Sequence, residues 1–429
     1  MKNQSPVGLR AYLALALFSA TSVSGTAAIG RGSTAAAASS ATGGGACSSA
    51  ADCSGAGACE AGRCACERGW AGATCAALDN STRVPVGGGF RMDSFHVWGA
   101  QVVRGDDALW HMLASVYPAQ LPFYSSWLYC AQIAHATATR LLGPYAFVSL
   151  ALPYGAEDAW DRSVMNPKIL RAPASGGGGG ESPWLLYYVG SSYPGPTPNG
   201  GSVPLPSNQS GAQASQRIGL ATAPAPGGPW LRRGPPVLET RPGEWDARIV
   251  SNPAVTPFGG NSTRLLMVYK ASSPAGGGTA QTRVCMGVAV AESWDAPFVR
   301  PRPDPIFPCP ENSFFAEDPS LHRDAQTGFF HLVFKDFNGH FTHAGYSGAH
   351  AISADGVTWN VTAPALAYTT THVWSDGVSR TQNQQERAQV LLDAGGAPLA
   401  TFFATNMALN GSSLFWNFAI PNQAVALDM

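Results

Sequence analysis

From about residue 84 onward, apolar positions fall into short runs broken by Gly, Pro and polar turns, without the spacing of a helical face. The runs recur in a fixed order. A two-residue turn signal opens a short apolar strand in Asn166-Pro167-Lys168-Ile169, Asn252-Pro253-Ala254-Val255 and Asp318-Pro319-Ser320-Leu321, with looser copies in Gly99-Ala100-Gln101-Val102 and Arg387-Ala388-Gln389-Val390. An aromatic strand follows (ALWHMLASVY, WLLYYVGSS, RLLMVYKAS, FFHLVFKDF, PLATFFAT). A small-residue strand comes next (LYCAQIAHATA, RIGLATAPA, VCMGVAVAES, GAHAISADG), then a turn into an aromatic. The anchors at 100, 167, 253, 319 and 388 repeat every 66–69 residues, apart from one interval lengthened by Gly/Pro/Ser-rich loops at 174–182 and 194–211. Three or four strands per unit at that period predict an all-β fold, a five-bladed β-propeller over 84–429. A β-sandwich would also alternate strands and turns, but not in this ordered repetition.

The N-terminal part has a different character. Lys2 and Arg10 precede a short apolar core from Ala11 to Val23, and small residues follow at 25–27. This pattern predicts a signal peptide over 1–27, too short for a span, with an uncleaved anchor as the competing reading. Residues 28–46, rich in Ala, Gly, Ser and Thr, read as a flexible linker. Six of nine cysteines then crowd into 47–75: Cys47, Cys53, Cys59, Cys64, Cys66 and Cys75. A stretch this short cannot bury a core, so disulfides must restrict the unfolded chain. Spacing alone leaves the pairing open. A zinc knuckle would want a histidine among them, and none is there. The C-x5-C-x5-C-x4-C-x-C-x8-C spacing, with Gly69 and Trp70 in the last loop, resembles the EGF-like domain. That resemblance implies Cys47–Cys59, Cys53–Cys64 and Cys66–Cys75. Gly43-Gly44-Gly45-Ala46 stands where calcium-binding EGF modules place acids. Cys285 and Cys309 are candidates for a further pair, leaving Cys130 as a buried thiol.

Composition narrows the function. Lys plus Arg number 26 against 27 acids, which supports neither nucleic acid nor an anionic membrane surface as partner. No later stretch is apolar enough to span a bilayer. Sequons at Asn80, Asn208, Asn261, Asn360 and Asn410 fit a secreted, extracellular glycoprotein.

With only 12% of the chain charged, acids recurring at one point of the repeat carry information. Asp93, Asp161 and Asp246 precede inner strands, and Glu317-Asp318 and Glu386 open two more. Inner strands line a propeller's channel, so these acids are expected to converge at one mouth. Glycoside hydrolysis requires such a set, one carboxyl protonated and one ionised. Trp98, Trp160 and Trp245 are candidate sugar platforms that could equally be blade packing. His350 is a candidate substrate-binding residue that faces inward and could hold a water or a channel metal, with a packed histidine as its alternative. His111 and His331 read as packed.

The blade order, the N-P and E-D-P strand starts, the R-I-G-L-A…G-P-W segment and Glu386-Arg387-Ala388-Gln389 resemble family 43 glycoside hydrolases and their relatives over about 90–405. The resemblance implies inverting hydrolysis of arabinofuranosides, xylosides or related cell-wall or matrix glycans. It implies Asp93 as base, Asp161 as the acid-tuning residue and Glu317 as general acid, with Asp246, Asp318 and Glu386 in reserve. The chain departs from the family pattern at two places. Trp98-Gly99-Ala100 replaces the A-D-P-like base motif, and Ser251-Asn252-Pro253 replaces the E-G-P-like acid motif. A poly- or oligosaccharide is therefore the expected partner, and the EGF-like module offers a protein-docking piece. No cofactor is required; a structural channel ion such as calcium or chloride remains open. The alternative function is a non-catalytic carbohydrate-binding or adhesion propeller.

Overall fold

The computed structural model describes residues 43–121, 123–174, 182–193, 209–260, 262–274, 281–310, 313–407 and 414–424. The signal peptide, the linker up to residue 42, the sequons at Asn208, Asn261 and Asn410, and most of the two long loops lie outside them.

The cysteine-rich stretch forms a 3-10 turn (Ala50–Cys53) and two small hairpins, β1 (Gly57–Glu60) with β2 (Arg63–Cys66) and β3 (Trp70–Ala71) with β4 (Ala77–Leu78). Its disulfides pair as the EGF resemblance implies, and Cys285 pairs with Cys309.

Five antiparallel sheets then follow in chain order. Blade 1 comprises β5 (Phe95–Arg104), β6 (Trp110–Pro118), β7 (Gln132–Ala138) and β8 (Ala146–Leu152); blade 2 comprises β9 (Ser163–Arg171), β10 (Trp184–Ser191), β11 (Arg217–Ala223) and β12 (Leu231–Arg232). Blade 3 holds β13 (Ile249–Pro257), β14 (Leu265–Pro274) and β15 (Gln281–Ala291); blade 4 holds β16 (Ala316–Arg323), β17 (Phe330–Asp336), β18 (Ser347–Ser353) and β19 (Asn360–Tyr368). A hairpin of β20 (Thr371–Val373) and β21 (Ser379–Thr381) leads to blade 5: β22 (Gln385–Leu392), β23 (Pro398–Thr405) and β24 (Trp416–Pro421). The first strands β5, β9, β13, β16 and β22 neighbour one another in cyclic order. The ring closes where Phe90 exchanges two backbone hydrogen bonds with Asn417 (2.9 and 3.1 Å), so the segment before blade 1 edges blade 5.

The aromatic strands are apolar throughout because each is buried on both faces. In β10, Leu185 and Tyr187 join the core toward blade 3, whereas Leu186 and Tyr188 join the core toward blade 1. β14 and β17 alternate likewise, Met267 and Leu266 pointing opposite ways, as do Val333 and Leu332. One sequence segment is reassigned: the start of LYCAQIAHATA belongs to helix α1 (Phe123–Cys130), and Cys130 ends that helix as a buried free thiol rather than lying in a strand. A second short helix, α2, spans Gln209–Ala214.

The EGF-like module packs directly on the propeller. Cys53, Cys64, Cys75 and Trp70 join Val333, Ala388, Val390 and Phe403 in the core between blades 4 and 5. Trp70 stacks on His350 (centroids 4.7 Å apart) and lies 5.2 Å from His331. His350 Nδ1 donates to the Ala76 carbonyl (3.0 Å), which leaves Nε2 to accept from His331 Nδ1 (3.0 Å). Burial pushes His322 and His350 well down and His331 to about 4, so the group is neutral. His350 thus sits on the third strand of its blade against Trp70, where it serves packing instead of substrate binding. At the rim Thr327 donates to the Gly55 carbonyl (2.8 Å), and Arg68 pairs with Asp393 (3.2 Å). Glu67 meets Asp324 carboxyl to carboxyl. Burial first, then that hydrogen bond and the like charge, raise Glu67 to about 8.

Two outcomes follow from this docking. Trp70→Ala should destabilise the whole propeller by about 3–5 kcal/mol, read by circular dichroism in guanidinium; an unchanged midpoint would mean the module is a passenger. Because folded Glu67 holds its proton up to about 8 while the unfolded carboxyl loses it near the ordinary value of 4.5, its contribution to stability falls as pH rises across that window. Glu67→Gln should flatten that decline and stabilise the protein at neutral pH, measured as the difference between the two melting-temperature profiles.

Candidate functional site

The turn signals of the sequence are bulges inside the innermost strands. Ladder register shifts at the same place in all five blades, at Trp98/Gln101, Tyr187/Val189, Ser251/Ala254, Glu317/Ser320 and Glu386/Gln389. The bulged residue takes a left-handed backbone each time: Gly99 (φ 57), Asn166 (52), Asn252 (49), Asp318 (56) and Arg387 (57). Gly, Asn and Asp accept that conformation readily, and proline after three of them has no N–H to lose from the ladder.

These five residues meet across the channel. Asn166 Nδ2 donates to Asn252 Oδ1 (2.9 Å), Asn252 Nδ2 to Asp318 Oδ1 (2.7 Å), and Arg387 to both Asp318 oxygens through its guanidinium (2.8 Å) and backbone N–H (3.2 Å). Gly99 leaves space for the arginine, since a Cβ there would lie 3.3 Å from both Arg387 Nε and Asn166 Oδ1.

The residues one step earlier, Trp98, Met165, Ser251, Glu317 and Glu386, form the next layer toward the strand starts. Blades 1 and 2 make its apolar side, where Trp98 and Met165 pack with Tyr117, Phe123 and Phe415. Blades 3 to 5 make its charged side. Lys270 Nζ bonds Glu317 Oε2 (2.7 Å), and Lys335 Nζ reaches Glu317 Oε1 (3.3 Å) and Glu386 Oε1 (2.6 Å). The Lys335 side chain is 1% exposed, against 16% and 18% for the two glutamates. Burial works to raise Glu317, but the two lysines outweigh it and hold its carboxyl at about 2. Glu386 goes the other way: burial raises it, and with the Glu317 and Asp318 charges outweighs Lys335. Burial would depress Lys335, yet the Glu386 and Glu317 carboxylates raise it. Phe337 and Tyr346 lie 4.4 and 5.4 Å from its ammonium.

The structure therefore brings Glu317, Asp318 and Glu386 together, with one oxygen of each within 4.8 Å of the others. Asp161 and Asp246 stand apart. Asp161 accepts from Tyr188 (2.6 Å) and pairs with Arg232 (3.0 Å) on the outermost strand of its blade. Asp246, 0% exposed, takes Arg241 (2.9 Å), Arg300 (2.8 Å) and Tyr269 (3.2 Å). Trp160 and Trp245 stack on those same tyrosines. A Cβ at Gly219 or Gly287 would lie 2.5 Å from Tyr188 or Tyr269, so the pattern Trp-Asp, Tyr, Gly, Arg is one packing latch built twice. Each of these acids is held by a tyrosine and an arginine beneath a tryptophan, apart from the Glu317 cluster. Asp93 lies exposed in the turn before β5 and makes no hydrogen bond or ion pair among the described residues. Sequence reasoning passed over Lys270 and Lys335, although Y-K-A and F-K-D place both at one point of the aromatic strand.

Residues 46–77 match the Teneurin-like EGF domain family. No curated protein matches the sequence. Among solved structures, Zg3597, a family 117 glycoside hydrolase produced by the marine bacterium Zobellia galactanivorans, superposes with a TM-score of 0.52 at 16% identity, over 81% of this chain and 90% of that one. BT0996, solved in complex with RGII, gives a TM-score of 0.55 at 14% identity, over 80% and 91%. The shared feature is the five-bladed propeller fold.

If Asp246 is a latch, Asp246→Ala should cost roughly 3 kcal/mol of stability while leaving ligand binding at the channel mouth unchanged. Loss of binding at unchanged stability would return Asp246 to the site.

Proposed function

We propose that this protein is a secreted glycoside hydrolase acting on extracellular glycans, with Glu386 as proton donor and Glu317 as its ionised partner. The observation that carries the reading is the divergence of two neighbouring carboxyls at one channel mouth. Two lysines hold Glu317 well below the ordinary carboxyl range, while burial and the neighbouring acids raise Glu386 against its single contact with Lys335. This reverses the role that the family resemblance assigned to Glu317, because an acid held near 2 has no proton to give at neutral pH. Exposed Tyr346 and half-buried Phe337, beside Lys335, offer apolar faces to a sugar ring. The glycoside hydrolase activity of the family 117 fold relative and the RGII bound by BT0996 support a glycan as the ligand class. Arabinofuranosides and xylosides are the first substrates to try.

Stereochemistry follows from spacing. An inverting pair stands about 6.5–9.5 Å apart to admit water and a retaining pair about 5–5.5 Å; the nearest Glu317 and Glu386 oxygens lie within 4.8 Å. Which anomer forms first reads whether the pair retains configuration or inverts it, as the resemblance implied.

A second reading, a non-catalytic glycan-binding propeller, is favoured by the lysines themselves, which engage both carboxylates at rest, and by glycine in blade 1 where the family carries its base. The deciding experiment is hydrolysis of aryl furanosides, aryl pyranosides and algal polysaccharides, with nuclear magnetic resonance of the first-formed anomer. Glu386→Gln and Glu317→Gln should each lower turnover at least ~100-fold with the fold intact. Glycan binding without turnover in the wild type would replace the hydrolase by the binding protein.

A further inference from the structure

Glu317, Asp318 and Glu386 approach closely enough to suggest a cation between them, and the residues around them do not fit one. The three acids that approach closest, Glu317, Asp318 and Glu386, are matched by three cations of the chain. Lys270 and Lys335 engage Glu317, Lys335 also engages Glu386, and Arg387 engages Asp318. Asp318 Oδ1 already accepts from Asn252 and the Arg387 guanidinium, and Oδ2 from the Arg387 backbone. A divalent ion would have to displace Arg387 or Lys335, both buried, and leave a desolvated positive charge beside its own.

We infer that Arg387 is a built-in replacement for a channel metal, its guanidinium closing the ring of Asn166, Asn252 and Asp318 through the space that Gly99 leaves open. Arginine is costly at a left-handed position (φ 57), where the other blades use Gly, Asn or Asp, so its side chain carries the reason for it.

The test uses the full chain. Metal analysis of the purified protein should find no stoichiometric calcium, and its melting temperature should move neither with EDTA nor with millimolar calcium chloride. Arg387→Asn suits the left-handed backbone but leaves Asp318 without its cation. It should melt lower and regain at least ~3 °C with calcium. Arg387→Lys, which keeps the charge, should show less of that response. Should Arg387→Asn fail to fold, the wild-type measurements still decide. Wild-type protein that loses stability in EDTA and recovers it with calcium would overturn the inference, as would Arg387→Asn melting like wild type with no response to calcium.

Discussion

Five sheets packed around one axis force their first strands together at a level where regular pleats cannot all pass. The fold meets this constraint with one bulge per blade, five left-handed residues at a single height. Asn252, Asp318 and Arg387 are buried and Asn166 partly so, which favours polar contacts among them. The chain Asn166–Asn252–Asp318–Arg387 makes them, each link crossing from one blade to the next. Blade closure and these polar contacts therefore depend on the same residues. The residues just before the bulges are set by them at the channel mouth, and the glutamates of blades 4 and 5 acquire their neighbours there.

The small disulfide module extends the same logic outward. Stapled chains of this size have little core of their own. This one lends Trp70 and its half-cystines to the seam between blades 4 and 5 and takes stacked histidines in return. Neutral imidazoles suit that seam because each ring can donate through one nitrogen and accept through the other without a charge being buried. The module is thereby a fixed part of the wall beside the blades that carry both glutamates.

At the mouth, composition divides the ring into halves with different work. Trp98, Met165 and Phe415 exclude water on one side, and the alternating Lys270, Glu317, Lys335 and Glu386 cross the other. Two lysine contacts outweigh burial at Glu317, whereas at Glu386 burial and the neighbouring acid charges outweigh its one lysine, so neighbouring carboxyls shift in opposite directions.

The repeat was legible in the sequence because blade geometry writes itself locally: apolar aromatic strands buried on both faces, Ala/Gly strands beside them, and Asn-Pro or Asp-Pro where the inner strand must bulge. Cysteine spacing identified the EGF-like module in the same way. Which acids gather was not legible, because Trp160-Asp161 and Trp245-Asp246 look like strand starts whether their side chains turn to the axis or to a tyrosine in the next strand. Only tertiary structure decides that, since the choice depends on a tyrosine hydroxyl, an arginine from the outer edge and a glycine that lets the rings approach. The same holds for Arg387. Its position in the repeat is local information, but its function as the channel's cation exists only once Asp318 from the neighbouring blade lies 2.8 Å away.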